Sequence, residues 1–206
     1  MPRVGHSERR ESVMKDRQIL TAEQFAARRP DLPENGRWIE LVEGRLVQLD
    51  PPDDIHGNVV LNLSKAMADY LQTNQQVSDG YLCFELGLLV HRDPDTIHFP
   101  AASYLTQGPR FAESDQIYID FPPRLVIEIA STNRRRRGLV DRVKAYQKWG
   151  VEEIWIADGL QKQMHVVETG RGAISYNGQQ SLSGSSVLRD FRVDVGALFK
   201  APDWWK

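Results

Sequence analysis

Apolar residues recur along this chain with two different periods, and the places where one period gives way to the other divide it into elements. Ile55, Val59, Leu63, Met67 and Tyr70, joined by Val60 and Leu71, repeat at helical spacing and predict an amphipathic helix from Ile55 to about Gln72. Asp53 or Asp54 stands where a side chain caps its first turn. A second helix is expected over residues 139–149, with Leu139, Val143 and Tyr146 on one stripe and Gly150 ending it. A shorter helix starts near Thr21, a possible N-cap ahead of Glu23 and Gln24.

The other runs are strand-like. Residues 38–50 read as a hairpin turning at Glu43-Gly44 and closed by Pro51-Pro52. Residues 81–90, 96–105 and 124–130 read as three strands, joined by connections holding Asp93-Pro94 and Pro122-Pro123. Residues 151–158 supply a fourth, and 163–168 with 173–176 form a terminal hairpin. The order hairpin, helix, three strands, helix, strand, hairpin predicts an α/β (α+β) fold, a mixed central sheet flanked by two main helices.

Composition narrows this picture. The chain has 206 residues, 41% hydrophobic and 26% charged, which suits one globular domain, expected over 18–206. Residues 1–17 mix both charge signs without an apolar stretch and are expected to be a disordered lead-in. A net charge of -2 excludes binding to nucleic acid by bulk charge, so any such contact needs a local basic patch. Cys83 stands alone, which excludes an internal disulfide and a cysteine-rich zinc site. No run approaches the roughly 20 apolar residues of a membrane-spanning helix, and a cytoplasmic location is expected.

Several residues carry candidate chemistry. Glu128 sits within Leu125, Val126, Ile127 and Ile129, a run that marks a strand covered on both faces. A carboxylate there is costly unless paired, hydrogen-bonded or bound to a metal. It is either satisfied by a nearby arginine or amides, or functional. At about 100° per residue, Arg142 falls roughly 60° from the buried stripe of its helix, so it leans toward the sheet or snorkels to water. Lys144 and Lys148 fall on the solvent face. His56 shares a helix face with Val60, Leu63 and Met67 and points toward the sheet, as a core histidine or a site residue. Glu40 and Glu85 read as outward residues of alternating strands before they read as ligands. Arg134, Arg135, Arg136 and Arg137 join the Glu128 strand to the Arg142 helix, as a solvated charge run or a grip on a phosphate backbone.

Ile39-Glu40-Leu41-Val42-Glu43-Gly44, Pro51-Pro52, His56-Gly57 and Val126-Ile127-Glu128-Ile129-Ala130-Ser131 together resemble the Uma2 family. Tyr146, residues 150–155, Asp158 and the closing stretch from Val187 to Phe199 extend the likeness, which covers about 21–199. The resemblance implies an endonuclease of the PD-(D/E)xK superfamily, with a restriction-endonuclease-like core. It also implies Mg²⁺ or Mn²⁺ held between an Asp and a Glu, with a Lys on the next helix balancing charge on the phosphate. Glu128 matches the Glu, and Glu40 and His56 match the family's leading Glu and its His. Three positions depart: Ala101 replaces the Asp, Arg142 replaces the Lys, and Gly138 replaces an Asp one turn earlier. Alanine offers no oxygen, and arginine keeps its charge but cannot act as a base.

The resemblance therefore implies an endonuclease-fold protein with a degenerate active site. Its metal site is weak or absent, centred on Glu128 with Glu85, Glu40 or Ser103 as substitute donors. The alternatives are a non-catalytic nucleic-acid binder, DNA before RNA, and a protein-interaction module presenting the apolar tail from Phe199 to Trp205. No membrane partner is expected, and a second copy of the chain is admissible.

Overall fold

The computed structural model describes residues 19–74, 80–108, 116–183 and 186–205, so the expected lead-in over 1–17 lies outside the described residues. Helix α1 (Ala22–Arg28) starts as its sequence dictates. Thr21 accepts from the Gln24 N–H, and Gln24 returns a bond to the Thr21 N–H, a reciprocal capping box. Strands β1 (Ile39–Val42) and β2 (Arg45–Gln48) pair antiparallel about Glu43 and Gly44. Both turn residues have positive φ, the backbone that a tight hairpin needs to follow the twist of its strands.

Helix α2 (Asp54–Thr73) is capped by Asp53, whose carboxylate accepts from the His56 N–H at 2.9 Å. Val59, Leu63, Met67 and Tyr70 face the core, as the spacing requires. Beyond it the chain departs from expectation. The run 81–90 is two strands, β3 (Tyr81–Phe84) and β4 (Gly87–His91), broken at Glu85, whose φ is 51°. The run 96–105 is likewise two, β5 (Thr96–His98) and β6 (Ala102–Leu105), parted by residues 99–101. Pro100 lies in that gap, where it has no ladder hydrogen bond to donate.

Each break moves the chain from one sheet to another. With β7 (Tyr118–Ile119), β8 (Leu125–Ala130), β9 (Glu153–Asp158), β10 (Gln163–Glu168) and β11 (Ala173–Tyr176), two sheets form. One has five strands in the order β2-β1-β5-β4-β7, the other six in the order β11-β10-β9-β8-β6-β3. The strands expected in one central sheet are thus shared between two mixed sheets. Strands β8 and β9 run parallel at the middle of the larger sheet, with Glu128 opposite Ile156.

The stretch carrying the arginine run is not a bare loop: residues 133–136 form a short helix, α3 (Asn133–Arg136), and the Thr132 hydroxyl accepts from the Arg135 N–H. Helix α4 (Leu139–Trp149) begins at Gly138 in a left-handed conformation, with open space around it, and ends at left-handed Gly150. Strands β12 (Ser181–Ser183) and β13 (Arg192–Asp194) pair near the end of the chain, before the one-turn helix α5 (Val195–Leu198).

Three apolar clusters hold these layers. On one face of the larger sheet, Leu125, Ile127 and Ile129 pack with α2 and the closing segment around Phe191 and Leu198. On the other face, Val126 and Ala130 meet Tyr146 of α4 together with Leu88 and Val90 of β4. The third lies between α1 and the smaller sheet, around Phe25, Leu41 and Ile97. Strand β8 is therefore covered on both sides, and Glu128, in phase with Val126 and Ala130, must lie on the α4 side.

Candidate active site

The phase of β8 carries Glu128 under α4, and the pitch of α4 brings Arg142 and Tyr146, one turn apart, to the same carboxylate. Arg142 donates to Glu128 Oε1 from Nε at 3.0 Å and from Nη2 at 2.7 Å, and the Tyr146 hydroxyl donates to the same oxygen at 2.7 Å. The third nitrogen of the guanidinium, Nη1, donates to Glu40 Oε2 at 2.7 Å. Glu40 also accepts the Phe99 N–H at 2.8 Å and lies 3.1 Å from His98 Nδ1. One half-buried arginine thus stands between two buried carboxylates, Glu40 at 2% and Glu128 at 7% exposure.

Glu40 is the larger correction to the strand-alternation argument. Expected to face outward, it is buried between Ile39 and Leu41, both of which are buried too. Strand β1 lies between β2 and β5 and meets α4 across its inner face, so a polar residue there needs partners, and Arg142, His98 and Phe99 are those partners. Burial alone would push the Glu40 carboxyl up, but the Arg142 charge, His98 and the Phe99 N–H hold it down at about 2. Burial also opposes the charge on Arg142, yet Glu128 and Glu40 keep the guanidinium well above its usual range.

His56 reaches the same place from α2. It is 7% exposed, lines a narrow cleft with Glu40, Ala101, Glu128 and Arg135, and its Nδ1 has no partner among the described residues. Burial first, then the Arg135 charge, lower the imidazole to about 4, so it is neutral near pH 7. The cleft holds about 20 Å³, room for one or two waters, given that one water takes roughly 10–15 Å³ by the same measure. Ala101 presents a methyl to this space.

The remaining sequence-derived candidates separate. Glu85 also lines the cleft, but it is exposed, stands in the break between β3 and β4 rather than within a strand, and faces Arg37 at 3.5 Å. Ser103 is fully buried on β6 opposite Val126, without a partner for its hydroxyl among the described residues, and is not part of the cleft lining. Arg135 turns inward and donates from Nη2 to the Asp50 carbonyl at 2.7 Å. Arg136 pairs with Asp158, and Arg137 is exposed. The side chain of Arg134 lies outside the described part of the chain. Trp204 is 76% exposed. Lys144 and Lys148 face solvent as the helix phase requires.

Tyr146 and His98 were not singled out as site residues from sequence. Tyr146 read as core because it lies on the buried stripe, and only its hydroxyl hinted that it needed a partner. His98 lies between Ile97 and Phe99, with no distinguishing pattern around it.

Comparisons with known proteins bear on the family and the fold. The model of the Uma2 family, described as "Putative restriction endonuclease", matches residues 22–196, and the chain belongs to that family. A solved structure from Anabaena variabilis, described as "a putative nuclease belonging to DUF820", shares the fold, with a TM-score of 0.70 at 17% identity over 87% of this chain and 97% of that one. No curated protein matches the chain. No helix among the described residues is long and apolar enough to cross a membrane.

A restriction-endonuclease family implies a divalent metal ion, and the residues present can be tested for it. Among the described residues, no group of three or more His, Cys, Asp or Glu is arranged to hold a metal ion. Both carboxylates of the site hold the Arg142 guanidinium instead, and Ala101 contributes no oxygen. A hard divalent cation needs several oxygen donors, so this donor set does not fit one.

Proposed function

We propose that this protein is an endonuclease-fold nucleic-acid binder that does not cleave. One observation carries the reading: the Arg142 guanidinium is shared between Glu40 and Glu128, while a methyl stands at the position where the resemblance calls for an acidic ligand. Metal-assisted phosphodiester hydrolysis needs a cation that activates water and neutralises the developing charge. A guanidinium can neutralise charge, but it holds its protons at any useful pH and polarises no bound water into hydroxide.

Nucleic acid, DNA in the first place, is the partner that the family supports. Exposed Arg137 at the end of α3 is the described arginine of the run whose charge is open to a phosphate backbone. Arg135 and Arg136 act from inside the fold, by holding the segment in place.

A second reading, a weak metal-dependent nuclease, has one observation in its favour: Glu40, Glu85, Glu128 and His56 line the same cleft. Incubating the purified protein with supercoiled plasmid and Mg²⁺ or Mn²⁺ separates the two. The expected outcome is intact plasmid together with salt-sensitive DNA binding. Rapid nicking that Glu128→Ala abolishes would establish the nuclease, and absence of DNA binding at low salt would point to a protein-interaction module.

A further inference from the structure

The chain reaches the rim of the cleft by an unfavourable backbone path. Glu34 and Asn35 have φ of 53° and 55°, and Gly36 follows at 69°. Two successive residues with side chains in the left-handed region are costly, and such strain gathers where particular groups have to be held in place. What this turn holds is Arg37 and Trp38. The Trp38 indole donates to Glu34 Oε2 at 2.7 Å, and the Trp38 carbonyl accepts the Leu49 N–H at 2.7 Å, so ring and backbone are both tied. The Arg37 guanidinium lies over that ring, 4.9 Å from its centre, and the Arg37 side chain is 61% exposed. Its ion pair with exposed Glu85, through Nε at 3.5 Å, is a weak surface contact. A second stack adjoins the first: Arg29 lies 4.3 Å from the centre of the Phe99 ring and donates to the Gly36 carbonyl at 3.3 Å. Arg37, Trp38, Glu85 and Phe99 all line the cleft, whose volume of about 20 Å³ is too small for a nucleobase.

We propose that Arg37 and Trp38 form a stacking platform for one unpaired nucleobase at the mouth of the cleft, so that the protein selects single-stranded over duplex nucleic acid. A planar guanidinium backed by an indole presents a flat, cationic face to solvent, and bases stack on such faces. Within a duplex both faces of a base are covered by its neighbours, so only an unpaired base can reach the platform. Charge alone serves this rim poorly, because Glu34 and Glu85 offset Arg29 and Arg37. That balance favours a partner held by a ring face over one held by its phosphates. The inference rests on the nucleic-acid reading of the site and narrows it to one class of substrate.

The test is fluorescence polarisation with three labelled probes of equal length, read at several salt concentrations: an oligothymidylate, a DNA duplex and a strand of abasic sugar-phosphate units. Wild type is expected to bind oligothymidylate at least roughly fivefold more tightly than either of the others, the low end of what one stacked base contributes. Arg37→Lys keeps the charge but loses the plane, and Trp38→Ala removes the backing ring, so each should abolish that preference. The slope of log affinity against log salt should be the same for Arg37→Lys as for wild type, because no charge is lost. Should circular dichroism show Trp38→Ala to be unfolded, Arg37→Lys, altered at an exposed position, decides the matter.

Wild type that binds the duplex or the abasic strand as tightly as oligothymidylate overturns this inference alone. So does an Arg37→Lys protein that keeps the wild-type preference. Wild type that binds none of the three probes overturns the nucleic-acid reading, and the platform with it.

Discussion

Glu40 and Glu128 lie on separate sheets and share one guanidinium, so a single side chain of α4 ties the two layers together. Neither carboxylate meets the other through the backbone: β1 pairs with β2 and β5, and β8 with β6 and β9. The tie is buried, and therefore its parts depend on one another. Removing one member of a buried charged network leaves the rest uncompensated, typically at about 3–5 kcal/mol.

Tyr146→Phe removes the hydroxyl that donates to Glu128 and nothing else. Because the bond goes to a carboxylate and Tyr146 is fully buried, the loss should be about 1.5–3 kcal/mol. Urea denaturation followed by circular dichroism measures it. A midpoint unchanged from wild type would mean that the hydroxyl is no part of the network.

Acid should weaken the fold in two stages. His56 is depressed from 6.5 to about 4 by burial and by Arg135, so an unfolded chain takes up its proton first. That contribution is whole above pH 6.5 and lost as pH falls through 4, on the order of 3 kcal/mol. Glu40 is depressed from 4.5 to about 2, so its contribution is whole above 4.5 and lost as pH falls through 2. The urea midpoint should fall between pH 6.5 and 4.5 in wild type and stay level there in His56→Gln. A level wild-type profile would contradict the burial of a neutral imidazole.

Ala101→Asp combined with Arg142→Lys returns an oxygen donor and replaces the fork with a point charge that cannot hold two carboxylates at once. Mg²⁺ or Mn²⁺ affinity should appear at about millimolar strength or better by calorimetry. Heat flow no different from wild type would place Ala101 outside the second-ligand position.

Arg137→Ala should leave thermal stability unchanged and reduce the slope of log affinity for DNA against log salt by about 1. Arg136→Ala should instead cost stability, roughly 1 kcal/mol, since it strips a partner from buried Asp158. Loss of DNA binding in neither variant would move the contact away from α3.

Much of this was legible in the chain. The limits of α4 and of β10 and β11 follow from periodicity and from Gly150. The burial of Glu128 followed from apolar neighbours on both phases of β8, and the lean of Arg142 from its angle to Tyr146. What stayed hidden depends on partners distant in sequence. Apolar runs 81–90 and 96–105 look continuous, but at Glu85 and at 99–101 the backbone changes sheets, and composition does not record which strand lies alongside. Glu40 looked outward for the same reason, since the group that satisfies it lies 102 residues away. The arginine run looked solvated because charge density predicts exposure, whereas Asp50 and Asp158, which draw two of its members inward, are distant in sequence.

The fastening between the two layers is covalently part of the polypeptide, unlike an exchangeable ion. Chelators therefore cannot withdraw that tie, and a shortage of Mg²⁺ in the surroundings does not loosen it. The tie is complete once the chain has folded, and its lifetime is that of the fold itself.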